Sequence, residues 1–588
     1  MTRAASSSSI ENRILIASPW ILFAVIANVF AAWFVTKEKY LYFWDYAEYW
    51  RDTSLMAQML RRAPLRAITQ LVYSIRHYDY NYLPAMPMAI PMLVLGEARL
   101  VYVLSIVNIF AIPAAIGLAA ASRAIATNAG CLQTKSLSFL VPLVLFVFPP
   151  FWVPILRGYP DIGGLVFVSA IMLLYFRQPP QLLKTGELIV CGVLLALLVL
   201  FRRWYAFWAS SFIMLLPLDA AFHLWNEESF DFETCWKIFR PAAFVVLVFT
   251  ISLTGIAWPL VIHMIRTPYR DIYSAYRGNL NIEGLLRDVA RVYLGPFVCT
   301  MFVVSVIVLA ARRQTRRICM FLFGQAALIF ILFAQIQGFG WQHLFLLTPT
   351  IIILVSLALL ELANMSSWII VPVYSLVSIM AFVPVFWQYT GPLSRPGEYI
   401  APLGRCFPLI RHDLPEIRRL LSVLQDYNAR TGGAVYVLAS SYVINSSQLR
   451  EANQSMGTQY KVTAKILTSA DVDKRDKFPL LLLNAEYVLV AVPIQYHLRP
   501  QDQRVVGLPA EALLMRKNIG NAFNRLPESF LLDDNVKVYI FRKVRPITKE
   551  EVSELEKECE RVYPDRPNVC LPAQARKIDS ILYGAAQA

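Results

Sequence analysis

The apolar residues of this chain come in long blocks, and their length is the strongest constraint on its fold. The first block runs from Ile14 to Thr36. Others follow at roughly 99–121, 137–155, 162–176, 187–201, 205–223, 241–264, 289–311, 318–337, 344–363 and 368–387. Blocks of about 20 residues match the length of a helix that crosses the hydrocarbon core of a bilayer. Lipid offers no hydrogen-bond partner to a backbone N–H or C=O, so such segments must be helical. The expected fold is a polytopic α-helical membrane protein with about 11 spans. Hydrophobic residues make up 57% of the chain and charged residues 16%, which excludes an ordinary soluble domain.

The first block is too long for a signal peptide and lacks a small-residue cleavage pattern, so it reads as a retained anchor. The Ser-rich residues 1–13 read as a disordered cytoplasmic tail. Leu83 to Gly96 is apolar but short and interrupted by Pro84, Pro87 and Pro91. It reads as a re-entrant or interfacial piece inside a long outer loop, 37–98.

Basic residues set the orientation. Arg123 and Lys135, Arg177 and Lys184, Lys237 and Arg240, and the cluster Arg312, Arg313, Arg316 and Arg317 fall on alternate loops, as the positive-inside rule requires for an N-terminus in the cytoplasm. Arg61, Arg62, Arg66 and Arg76 in loop 37–98 oppose this, but long loops cross with less regard for charge. An odd number of spans puts the C-terminal part outside. The net charge of +15 is then mostly membrane electrostatics, and no zinc pattern, recognition helix or RNA-binding motif supports a nucleic-acid partner.

From about 388 the texture changes. Asp413 to Arg430 has helical periodicity, with Asp413 as N-cap. Ala434 to Ala439, Pro479 to Leu483, Tyr487 to Val492 and Val536 to Phe541 read as short buried strands, and Thr548 to Val562 as a charged helix. The expected layout is a membrane domain at 14–387 and an extracytoplasmic α/β domain at 388–588. Cys559 and Cys570 flank a turn and are placed to pair in an oxidising compartment. Asn445 and Asn453 match short glycosylation sequons.

The polar inventory gathers at the outer rim. Asp45 and Glu48 lie among Tyr42, Phe43, Trp44, Tyr46, Tyr49 and Trp50, just past the first span. A carboxylate held against apolar rings is poised to take a proton, although an interfacial aromatic belt with two solvated acids has the same composition. Arg202 and Arg203 end the fifth span, beside Trp204 and Tyr205. Arg157 and Asp161 follow the third span, and His343 sits in a tight outer loop. Tyr269 and Arg270 lie in a loop rich in basic and aromatic residues. Arginine grips phosphate with a planar fork, but snorkelling side chains and plain salt bridges fit the same positions.

The order of these features resembles the GT-C superfamily of polyprenyl-phosphate-sugar-dependent glycosyltransferases, in its protein O-mannosyltransferase and aminoarabinose-transferase branch. The resemblance rests on four features, in order: Asp45 with Glu48, Tyr82-Leu-Pro-Ala-Met-Pro87, Gly96-Glu-Ala-Arg-Leu100, and Arg157-Gly-Tyr-Pro-Asp161. It covers about residues 14 to 210 by motif and the rest by architecture. It implies an inverting transfer of a sugar from a polyprenyl-phosphate donor to an acceptor hydroxyl on the outer face of a bacterial inner membrane. Asp45 would be the general base, with Glu48 orienting the acceptor. Arg202, Arg203 and His343 would bind the donor phosphate, and Arg157, Asp161, Tyr269 and Arg270 the substrate. The acids are spaced Asp-x-x-Glu rather than adjacent and the usual double proline is spread out, which leaves the sugar and the acceptor (lipid, glycan or protein) open. So is a divalent cation on Asp45, Glu48 and Asp161, since no Cys/His spacing marks a metal site. Two other classes are weighed against the enzyme. A flippase or secondary transporter would place ionisable groups near the midplane, where these spans are nearly bare. A membrane scaffold or sensor would need no acid–arginine–histidine set.

Overall fold

A computed structural model of the chain describes residues 2–224, 232–278, 280–365, 368–388, 404–456, 464–564 and 569. It divides into two units. One comprises Met1–Lys37, Tyr49–Thr267 and Leu280–Pro408, and the other Glu38–Glu48, Pro268–Asn279 and Leu409–Ala588.

The first unit is helical, and its helices place this chain in a membrane. Among the described residues, seven are long and apolar enough to cross one: Ala17–Lys37, Arg99–Asn128, Arg203–Phe222, Glu233–Arg266, Ile282–Ala311, Arg313–Ala334 and Thr348–Met365. The pair Thr134–Phe146 and Pro149–Leu156, bent by 59°, makes an eighth if taken as one span. Ala85–Leu95, Pro160–Phe176, Thr185–Phe201 and Ile370–Phe386 are shorter apolar helices. Every expected span falls on one of these segments, and the Pro-rich piece at 83–96 is the helix Ala85–Leu95. Thr348–Met365 is buried along 83% of its apolar stretch, so it is a core helix. Glu233–Arg266 is buried along only 17% and leaves large apolar side chains such as Phe239, Leu247 and Ile251 exposed.

Prolines set the irregularities. Ile106–Ala111 is π-helical just before Pro113, and Val289–Leu294 just before Pro296. A proline has no N–H to close an α-helical turn, and the backbone slips by one residue to compensate. Ala257, at φ −137° and ψ 46°, breaks helix Phe232–Arg266 two residues before Pro259.

The second unit is α/β. Its four strands are β1 (Val435–Leu438), β2 (Tyr487–Val492), β3 (Phe523–Leu531) and β4 (Lys537–Lys543). Their order is β1-β2-β4-β3, with β1 and β2 parallel and the other pairings antiparallel. Both faces of the sheet are covered, so β1 and β2 read as unbroken apolar runs. Tyr436, Leu438, Val488 and Val490 face one core with Ala510, Leu513, Val552 and Leu555. Val435, Val437, Tyr487 and Leu489 face the other, with Ile417, Leu420, Leu421 and Leu424 of helix Leu414–Thr431. Leu41 belongs to this second core, and Lys39 bridges to Ile410, which ties segment 38–48 into the unit.

The structure corrects several details. Pro479–Leu483 is not a strand: Leu480–Leu483 is one helical turn. A strand went unread at Phe523–Leu531, because Asn524, Arg525 and Glu528 break its apolar run. It is an edge strand, where Pro527 is tolerated, and its register shifts between Arg525 and Ser529. Asp413 makes no side-chain cap. Its carboxylate instead takes a fork from Arg411 at 2.8 and 2.7 Å. Asn445 is a buried N-cap that accepts from the Gln448 N–H, out of reach of a glycan. Thr548 does close a capping box with Glu551. Cys559 is disulfide-bonded, and Cys570 lies outside the described residues.

Candidate active site

In the membrane unit the arginines expected at the rim are locked into a polar network. Helix Thr185–Phe201 ends at Arg202, whose extended backbone (φ −153°) turns the chain into Arg203–Tyr205. The Arg202 Nε lies 2.8 Å from Asp161 Oδ1, and the two side chains are 3% and 0% exposed. The Arg202 guanidinium also stands 4.3 Å from the centre of the Tyr49 ring. The Tyr205 hydroxyl donates to the Asp161 backbone carbonyl at 2.9 Å. Arg203 pairs with Asp79 and lies 5.2 Å from the Tyr80 ring. A buried ion pair with cation–π partners is held rigidly, because its charges have no water to turn to.

Arg157 is buried as well, donating to the Phe407 carbonyl at 2.8 Å with its guanidinium 5.4 Å from the Phe34 ring. Arg99 reaches the turn after it, donating to the Arg157 carbonyl at 2.7 Å. Gly158 has φ +85°, and a Cβ there would lie 2.5 Å from the Arg99 guanidinium, so only glycine fits. Sequence reasoning quoted Arg99 within a motif but gave it no role, and it missed Asp79 and Tyr80. The aromatic clustering around 42–50 and 78–82 was the available signal.

His343 is buried. The Gly340 N–H donates to its Nδ1 at 2.9 Å, which puts the ring proton on Nε2, and the Trp204 ring stands edge-on at 4.3 Å. Burial, with Arg203 adding to it, pushes the imidazole down to about 3, so His343 is neutral at pH 7 rather than a cation. Between about pH 6.5 and 3 the unfolded chain then takes up a proton that the folded chain refuses. Stability is full above about pH 6.5 and falls below it by about 1.4 kcal/mol per pH unit from this group. His343→Asn should flatten the acid limb of a pH–stability profile by that amount. Superimposable limbs would show that the ring is not buried neutral.

Asp45 and Glu48 belong to the α/β unit. Asp45 is the first residue of helix Asp45–Arg62 and is half-buried. Glu48 lies 3.8 Å from Arg450. Both carboxylates lie in the first turn of that helix, where the Trp44 carbonyl accepts the Ala47 and Glu48 N–H groups. Tyr269 stacks near Tyr273 with centroids 6.1 Å apart, and Arg270 is exposed. Close by in the unit, Lys474 lies 3.5 Å from Asp271, and Arg475 donates to the Tyr276 hydroxyl at 2.8 Å. Burial pushes Asp471 up to about 6 and His497 down to about 4. Among the described residues, no group of three or more His, Cys, Asp or Glu side chains is placed to hold a metal ion.

The apo state of ArnT from Cupriavidus metallidurans matches this chain with a TM-score of 0.50 at 10% identity, over 89% of this chain and 98% of that one. ArnT is an aminoarabinose transferase of the GT-C superfamily. The fold is GT-C-like. ArnT from the same organism bound to undecaprenyl phosphate matches at a TM-score of 0.43 and 12% identity, over 62% of this chain and 64% of that one. The Archaeoglobus fulgidus oligosaccharyltransferase in complex with Zn and sulfate gives 0.43 and 12%, over 81% and 67%. The apo match carries the fold assignment, because it spans nearly all of both chains. No protein-family profile matches the sequence, and no curated protein matches it either. The GT-C-like fold thus rests on structural similarity rather than on sequence identity.

Proposed function

We propose that the protein is a membrane glycosyltransferase that moves a sugar from a polyprenyl-phosphate donor to an acceptor hydroxyl. The observation that carries this is a half-buried carboxylate, Asp45, opening the helix that directly follows the first span in a GT-C-like fold. Asp45 takes the proton of the acceptor hydroxyl as that oxygen attacks the anomeric carbon. The bond from this carbon to the phosphate oxygen breaks, and polyprenyl phosphate leaves with the electron pair. One displacement inverts the anomeric centre. Arg202 and Arg203 stabilise the charge that develops on the leaving oxygen, with Asp161 holding Arg202. His343 serves as a neutral hydrogen-bond donor. Arg157 braces the turn that carries Asp161, Glu48 orients the acceptor, and Tyr269 and Arg270 recognise substrate. ArnT has been solved with undecaprenyl phosphate, which supports that class of donor. The oligosaccharyltransferase was crystallised with Zn, and a divalent ion added to the assay tests that requirement here.

Purified protein incubated with a panel of radiolabelled polyprenyl-phosphate sugars should transfer label from at least one of them. Folded protein that transfers from none would sink the proposal. The active face is the extracytoplasmic one, in a bacterial inner membrane. Met515 is 68% exposed in the α/β unit. A cysteine placed there should react with an impermeant thiol reagent once the outer membrane is opened; reaction only after the inner membrane is broken would reverse the topology.

A further inference from the structure

We propose that His497, Ser440 and Trp44 are positioning residues that hold the turn from which the Asp45 helix starts. This rests on Asp45 being the base.

Trp44 immediately precedes Asp45, and its φ is +45°. That left-handed conformation is unfavourable for a bulky side chain and persists only where its surroundings impose it. The Trp44 carbonyl accepts the N–H groups of Ala47 at 3.0 Å and Glu48 at 2.8 Å, so this residue starts the helix. Its own N–H donates to Ser447 Oγ at 2.9 Å, in a buried helical turn capped by Asn445. Its ring lies 4.4 Å from the ring of His497 and 4.9 Å from that of Phe43.

His497 is fixed in turn. Its Nδ1 is 2.8 Å from Ser440 Oγ and 3.0 Å from Gln503 Nε2. The N–H groups of His497 and Leu498 both donate to Gln503 Oε1, at 2.9 and 2.8 Å. Ser440 and Gln503 are completely buried, and Ser440 lies two residues past the end of β1. Rigid support therefore runs from the end of the buried strand β1 through Ser440 and His497 to the Trp44 ring, and from there to the first turn of the Asp45 helix. A base must be held to within a fraction of an ångström of its proton, and a rim segment anchored in this way meets that need.

The test compares His497→Ala, Trp44→Gly and Trp44→Phe in the full-length protein. Trp44→Gly removes the ring while easing the backbone, and Trp44→Phe keeps an aromatic ring. Hydrogen exchange at the amides of residues 46–48 should speed up about tenfold or more in the first two variants, with β1 and β2 amides as protected as in the wild type. In those variants kcat should fall about thirtyfold with donor KM nearly unchanged, and Trp44→Phe should recover most of it. If β1 and β2 lose protection in His497→Ala, Ser440→Ala serves as the milder variant and should show the same pattern at reduced size. Wild-type exchange at 46–48 in variants that keep the sheet intact would overturn the proposal. So would wild-type kcat in those variants while Asp45→Asn is inactive. If Asp45→Asn retains activity, the base assignment falls instead, and the exchange data still decide whether these residues hold the turn.

Discussion

Asp45→Asn should leave a folded, membrane-inserted protein whose sugar transfer is lower by about 10²–10⁴-fold, the usual contribution of a positioned general base. The substitution keeps size and shape and removes only the ability to accept a proton. Helix Asp45–Arg62 should still form, since asparagine there gives up at most about 1 kcal/mol of interaction with the helix dipole. The loss should therefore appear in kcat, while binding of polyprenyl phosphate, whose proposed partners are Arg202, Arg203 and His343, stays near the wild-type value. Glu48→Gln should do less damage, because that side chain faces Arg450 at 3.8 Å in a partly exposed pair. Full transfer by Asp45→Asn at normal expression would remove Asp45 from the chemistry. Loss of donor binding along with transfer would show instead that the change disturbs more than the base.

Arg202→Ala should destabilise the membrane unit by about 3–5 kcal/mol, because it leaves the fully buried Asp161 carboxylate without its 2.8 Å partner. Changing both members, Asp161→Asn with Arg202→Met, should recover most of that loss, since no buried charge then remains. The comparison separates stability from catalysis. If Arg202 also serves the donor phosphate, the double variant should be folded yet bind polyprenyl phosphate poorly. Equilibrium unfolding in mixed micelles reads the first effect and a lipid-binding assay the second. A single variant within about 1 kcal/mol of wild type would mean that solvent reaches the pair. A well-folded double variant with wild-type lipid affinity would take Arg202 out of the donor site.

Membrane helices are the most legible part of this chain because one physical rule governs them: a segment in hydrocarbon must be apolar over about 20 residues and must satisfy its own backbone. The α/β unit was legible where both faces of a strand are buried, as in β1 and β2. It was not legible in β3, whose Asn524, Arg525 and Pro527 look like loop residues until β4 pairs with them. Pro479–Leu483 failed for the opposite reason: four consecutive leucines suit a buried strand and a buried helical turn equally well, and only packing chooses between them.

Rim chemistry divides along the same line. The sequence alone determined which residue types are concentrated beside the spans: Asp45, Glu48, Arg157, Asp161, Arg202, Arg203 and His343 are polar groups next to apolar blocks, and charge is kept from the middle of the blocks by its desolvation cost. Only the tertiary structure decided what each of them is paired with. Asp161 and Arg202 are forty-one residues apart in the chain and 2.8 Å apart in space. His343 is neutral because of burial, which no spacing rule reports. The turn before Asp45 donates a hydrogen bond to Ser447 and packs its ring against His497, both more than four hundred residues further along the chain. Periodicity and composition are local properties and survive in a one-dimensional reading. Desolvation, ion pairing and support depend on neighbours that only the folded chain supplies.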